Sequence, residues 1–136
     1  MSIFERDYVM RLVKQLAELF ARVMNLKAAK KNEEAAELLE AGCLTLFGID
    51  WRTLAWVDSA SAAQLLKEPA RIRAFAALLE KRAELHEAAD EPAEARSKWQ
   101  HAFEMYREAG DHPEALEGAE RTGKKIDVLM LPAKYR

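Results

Sequence analysis

The chain has few of the residues that break helices or cross-link chains. Its 136 residues include only five glycines, four prolines and one cysteine. A single cysteine excludes a disulfide within the chain, and the scarcity of β-branched side chains disfavours a sheet. Abundant Ala, Leu, Glu, Lys and Arg favour helix instead. The composition therefore predicts an all-α protein.

Long apolar runs and a strong net charge are also missing. No stretch reaches the roughly 18 uncharged apolar residues that span a bilayer, and charges near the N-terminus interrupt any signal-peptide pattern. The net charge of −2 gives no reason to expect nucleic acid or an anionic membrane as the main partner. We therefore expect a cytoplasmic, single-domain protein with no nucleic-acid or membrane partner.

One short phrase occurs three times in the chain. Each copy has a polar turn, then an acidic residue, then a small alanine, and apolar residues at helical spacing flank it. The copies lie at residues 31–35, 90–95 and 110–115 and end in Ala35, Ala95 and Ala115. The phrase predicts antiparallel helical hairpins in which alanine lets two helices approach closely.

Apolar periodicity and turn residues predict the individual helices. Asp50 is the predicted cap of one short helix, and Ser59 or Ser61 that of the next. A helical body is expected over residues 1–123, and an apolar tail over 124–136 is expected to pack on the body or on a neighbour. The longer predicted helices cover residues 3–27, 33–47, 70–89, 92–109 and 113–123, with an irregular stretch at 49–69.

The first predicted helix has an unusually broad apolar face. A second stripe of Val13, Ala17, Phe20 and Met24 lies beside a seam with the alternating spacing of a heptad repeat. Either two helices of the same chain pack on this face, or a second chain does. If a second chain does, the dimer seam consists of Val9, Leu12, Leu16, Leu19, Val23 and Leu26.

Two resemblances extend this prediction. Residues 76–122 resemble a tetratricopeptide repeat, a helix-turn-helix unit of about 34 residues, and about twenty residues further on the pattern recurs in Trp99, Ala102, Phe103 and Tyr106. The resemblance implies an antiparallel helical array that is TPR-like over residues 70–123. The whole chain also resembles an uncharacterised family of small bacterial helical proteins, through residues 4–11, 46–50 and 76–79. The residues that carry the TPR resemblance are Leu79, Arg82, Ala83, His86, Ala95 and Trp99.

In tetratricopeptide proteins the first helix of each unit lines a concave groove. The resemblance therefore implies a groove with many carboxylates, and a groove of one sign selects a partner of the opposite charge. We expect a basic peptide or a basic protein there. The predicted groove residues are Glu80, Glu84 and Glu87 from one helix and Gln100, Glu104 and Glu108 from the next.

Residues with reactive side chains show no catalytic or metal-binding pattern. Cys43 and the histidines His86, His101 and His112 have none of the spacings of metal ligands, and no glycine-rich phosphate loop or nucleophile elbow is present. Neither a metal nor a cofactor is expected, and the chain is not expected to be an enzyme. Exposed tryptophan at Trp51 or Trp56 would be a contact anchor, and the N-terminal cluster of Arg6, Asp7, Tyr8 and Arg11 suits an interface rim.

These patterns favour a non-catalytic scaffold or adaptor that binds another protein through the groove. The alternative is a homodimer formed through the first helix or the apolar tail. A small-molecule binder or an enzyme is the remaining alternative.

Overall fold

The computed structural model describes residues 2–136, and this part of the chain is helical with no strand. The all-α prediction is therefore confirmed. Two short 3₁₀ helices, Val128–Met130 and Ala133–Tyr135, follow seven α-helices. The α-helices are α1 (Ile3–Ala28), α2 (Asn32–Phe47), α3 (Trp51–Trp56), α4 (Ser59–Leu66), α5 (Pro69–Ala88), α6 (Pro92–Glu108) and α7 (Pro113–Gly123).

Local residue chemistry determines where the short helices begin. The Asp50 carboxylate accepts a hydrogen bond from the Thr53 amide at 2.8 Å, so the predicted cap of α3 is confirmed. The prediction for α4 was wrong, because Asp58 rather than a serine caps it, accepting from the Ser61 amide at 2.8 Å. Ser59 is not free to cap, since its hydroxyl donates to Glu104 on α6 at 2.6 Å.

Helix α5 is the centre of the fold. It contacts α1, α2, α4, α6 and α7, and its most extensive contact is with α6. Buried side chains therefore occur around most of its circumference, as expected of a core helix. They include Ile72, Phe75, Leu78, Leu79 and Leu85.

Small residues lie where neighbouring helices meet. Ala35, Ala95 and Ala115, the alanines of the repeated phrase, are all buried. Two glycines bring helices closer still: a Cβ on Gly42 would come 2.5 Å from Leu19 of α1, and one on Gly118 would come 2.5 Å from the ring of Tyr106. The close approach of α2 to α1 and of α7 to α6 therefore depends on the absence of side chains at these glycines.

Helices α1, α5 and α7 run in the same direction. Val9 and Val13 of α1 lie beside Ala70 and Ala74 of α5, and residues later in α1 lie beside residues later in α5. Helix α7 follows the same order, from Glu114 at one end to Arg121 at the other. The three helices therefore form one inner layer.

The remaining segments cover the opposite side of this layer. Trp51 of α3 is buried against Phe75, with ring centroids 5.8 Å apart, and α4 packs on α6. The tail lies against the body through buried Leu131 and Tyr135, and Lys134 donates to Glu108 at 2.6 Å. Helix α6 is thus covered on its outer side by α4 and the tail.

Candidate functional site

A trench runs along the inner layer. Its floor is α5, its walls are α1 and α7, and aromatic side chains of α6 close one side. The trench consists of two cavities, which share Ala77, Tyr106 and Arg121 in their linings. We call the cavity of about 760 Å³ the wider end and the cavity of about 410 Å³ the narrower end. The lining extends along α5 from Ala70 to Ala88, which corresponds to about 27 Å of helix at 1.5 Å per residue.

At the wider end of the trench, Glu80 forms a buried polar network. Its side chain is only 10% exposed, and it accepts from Arg121 Nε at 2.8 Å and Nη2 at 2.9 Å. The Tyr106 hydroxyl also donates to Glu80, and the Arg121 guanidinium lies 5.9 Å from the Tyr106 ring centroid. Burial and the Glu80 charge raise the pKa of Tyr106, and the hydrogen bond to Glu80 raises the pKa of Arg121.

Glu84 repeats this arrangement one turn further along α5. Lys81 Nζ lies 3.3 Å from a Glu84 carboxylate oxygen and 5.6 Å from the centroid of the Phe20 ring of α1. The lysine thus contacts a carboxylate and an aromatic face together.

Glu87 forms a third such group at the end of α5. Lys125 Nζ lies 3.7 Å from a Glu87 carboxylate oxygen and 5.1 Å from the centroid of the Trp99 ring. Each glutamate in the lining of the wider cavity therefore has one cation that also lies over an aromatic ring. We call these groups the three triads: Glu80–Arg121–Tyr106, Glu84–Lys81–Phe20 and Glu87–Lys125–Trp99.

The triads change the predicted electrostatics of the site. The sequence predicted a groove of one sign, but the lining of the wider cavity holds three carboxylates and four cations. The wider cavity is therefore not a groove of one sign. The cations are Lys27, Lys81, Arg121 and Lys125.

The narrower end of the trench is more apolar. Val9, Val13 and Leu16 of α1 face alanines of α5, and Val13 is 57% exposed. Arg73 and Glu114 lie at the rim with Nε and Oε2 3.8 Å apart. An apolar side chain lying over Val13 would gain contact with these residues.

The other three predicted groove residues lie outside the trench. Glu104 accepts from Ser59 at 2.6 Å and from Gln100 at 3.1 Å, and Glu108 accepts from Lys134 and Tyr135 of the tail. The six predicted residues are therefore split between two faces. The sequence prediction took α6 for an inner helix, whereas the inner helix after α5 is α7, which contributes Arg121 and Glu117.

The predicted dimer seam faces the interior of its own chain. Leu12, Leu19 and Val23 are buried in the core. Val9, Leu16 and Leu26 are half-buried. A second chain would have to use the adjacent stripe instead, where Met10, Val13 and Met24 are exposed.

Cysteine and histidine side chains take structural positions. Cys43 is buried, and desolvation raises the pKa of its thiol to about 12. His86 contacts Glu91 at 3.0 Å, His112 accepts from the Glu114 amide at the start of α7, and His101 lies edge-on to Phe75. Within residues 2–136, no three His, Cys, Asp or Glu side chains cluster as a metal would require.

The predicted contact residues, two tryptophans and the N-terminal cluster, differ in their exposure to solvent. Trp51 is buried, whereas Trp56 is 78% exposed and lies under the Arg52 guanidinium at 5.4 Å. In the N-terminal cluster Arg6, Asp7 and Arg11 are exposed, and Tyr8 is half-buried beside a small cavity of about 180 Å³. Trp56 is therefore the tryptophan left available for contact.

No family model matches the chain, and neither a curated protein nor a solved structure with significant similarity to it is found. Among residues 2–136, none of the helices is both long and apolar enough to cross a membrane.

Proposed function

We propose that the chain is a non-catalytic protein-binding module, a scaffold or adaptor that holds a segment of another protein in the trench. The observation that carries the proposal is the trench itself, an open channel that three parallel helices line along the length of α5. Helices α5 and α7 line the trench while α6 between them lies on the outer side, and this alternation is what a TPR-like unit would have. Small side chains at Ala70, Ala74 and Ala77 leave room above the floor for an occupant.

The charge pairing supports binding over catalysis. Each of the three glutamates in the lining of the wider cavity already has a cation partner at 3.7 Å or less. A general acid or base requires a group free to exchange a proton with a substrate. Fixed, paired charges beside apolar surface suit a recognition site, where they orient a partner.

Site-specific photo-crosslinking tests this function. A benzophenone side chain at Val13 would lie in the trench, and one at Leu116 would lie on the far side of α7 with comparable exposure, 57% against 47%. In the native host we expect crosslinks to another protein from position 13 and not from position 116. Ala77→Arg, which fills the shared part of the trench, should abolish them. Equal crosslinking at both positions, or crosslinks that survive Ala77→Arg, would contradict the proposal.

A homodimer is the second candidate function. The observation in its favour is the exposed apolar stripe of α1, which includes Met10 at 62% and Val13 at 57% exposure. In the same experiment this alternative predicts crosslinks between two copies of the chain. Sedimentation at micromolar concentration would then give twice the mass of one chain, and Met10→Lys would return it to the monomer.

A further inference from the structure

The two ends of the trench differ in net charge. At the wider end, four cations face three carboxylates, so one positive charge is in excess. Arg121 lines both ends, but its guanidinium is bound to Glu80 and is counted with it at the wider end. At the narrower end this leaves Arg73 with both Glu114 and Glu117, an excess of one negative charge. The count covers the Lys, Arg and Glu side chains of the two linings.

Two residues account for the excess charges. Within residues 2–136, Lys27 forms no ion pair, although the other three cations of the wider cavity do. Glu117 likewise lacks a cation partner, whereas Glu114 has Arg73 at 3.8 Å. Lys27, which is half-buried, and Glu117, which is exposed, therefore lie at opposite ends of the trench within reach of water.

An occupant of the trench would remove part of that water. Burying a charge without a partner is strongly unfavourable, so an occupant that fits must supply the opposite charge at each position. A basic group at the wider end would meet carboxylates that each already have a cation partner. An acidic group there meets Lys27 without disturbing them.

We propose that the trench binds a peptide segment whose charges are opposite at its two ends, with an acidic side chain against Lys27, a basic side chain against Glu117 and apolar side chains over Val13. This inference rests on the proposed function. The charge pattern also determines the direction in which the peptide lies along the trench. The acidic end points toward the C-terminal ends of α1 and α5, and the basic end toward the N-terminal end of α7.

Selection from a displayed library of random peptides tests the charge pattern. A segment of roughly 12 residues, if extended, is longer than the trench. The immobilised full chain should enrich peptides with Asp or Glu toward one end and Lys or Arg toward the other. Lys27→Glu should enrich peptides with a basic residue in place of the acidic one, and Glu117→Lys should invert the preference at the other end.

Affinity measurements on one enriched peptide make the test quantitative. By fluorescence anisotropy, Lys27→Glu should weaken binding about tenfold, and a Glu-to-Lys change in the peptide should restore most of the loss. Lys14→Glu is the matched control, because Lys14 is an exposed lysine of α1 that does not line either cavity. It should leave the affinity unchanged.

Val13→Arg separates the two ways in which the experiment could fail. Enriched peptides of uniform charge that no longer bind Val13→Arg would overturn the charge pattern and leave the trench as the binding site. Peptides that bind Val13→Arg as well as the original chain would overturn both proposals, and so would a selection that enriches no peptide.

Discussion

Two rows of acidic side chains on adjacent helices both follow helical spacing but have very different surroundings. Glu80, Glu84 and Glu87 of α5 face the open trench, where cations and aromatic rings hold them. Glu104 and Glu108 of α6 lie beneath α4 and the tail, hydrogen-bonded to Ser59 and to Lys134. Helical spacing determines which residues share a face, but packing between distant segments determines whether that face binds a partner or is covered.

The outer region should lose stability in acid. On the outer side, burial and the nearby Lys98 lower the pKa of His101 from 6.5 to about 4. The unfolded chain binds a proton at His101 below pH 6.5, whereas the folded chain does not until about pH 4, so stability falls as the pH falls through this window. The expected loss is about 3 kcal/mol.

Urea unfolding between pH 7 and pH 4 measures this loss. His101→Phe keeps an aromatic ring against Phe75, and Nε2 of His101 has no hydrogen-bond partner among the described residues. The variant should therefore lose the His101 share of the pH dependence. If His101→Phe and the original chain follow parallel curves, His101 does not link the outer region to pH.

A second prediction concerns the wall of the trench. Gly118→Ala should lower the free energy of unfolding by about 2 kcal/mol, because the added methyl group meets the Tyr106 ring and forces α7 away from α6. Gly123→Ala, in the same helix, is the control, since its Cβ would come to 3.2 Å from the edge of Phe103, a tight contact that needs the ring to shift by only a few tenths of an ångström. Thermal or urea unfolding of both variants gives the comparison. Equal stability would mean that α7 does not depend on this close approach.

Much of the fold was predictable because its signals are local. Pro92 and Pro113 begin α6 and α7, and Gly48 ends α2 in the left-handed conformation that glycine favours. These residues act through their immediate neighbours, so sequence reasoning placed the helices within a few positions.

Only half of the candidate site was predictable, because its contacts join residues that are far apart in the sequence. Glu80 lies 26 residues from Tyr106 and 41 residues from Arg121, so no local pattern indicated that they meet. Arg121 occurs in a short charged helix and was not singled out, nor was Gly118, although a glycine within a helix is itself a signal of close approach. The prolines were a usable signal, because Pro69, Pro92 and Pro113 each begin a helix. If successive helices alternate between the inner and the outer layer, the inner helix after α5 is α7 and not α6.

The smallest of these effects compares one glutamate from each row. Glu80→Gln removes a charge that Arg121 contacts through two nitrogens, and we expect the free energy of unfolding to fall by about 1 to 2 kcal/mol, since Arg121 is 56% exposed and solvent screens the pair. Glu104→Gln keeps an acceptor for Ser59, so its cost should be about 0.5 kcal/mol. A double-mutant cycle with Arg121→Gln should recover most of the Glu80 loss as coupling. Coupling near zero, or a larger loss for Glu104→Gln, would contradict this prediction. It would mean that the ion pair of Glu80 contributes no more to the free energy of unfolding than the hydrogen bond of Glu104.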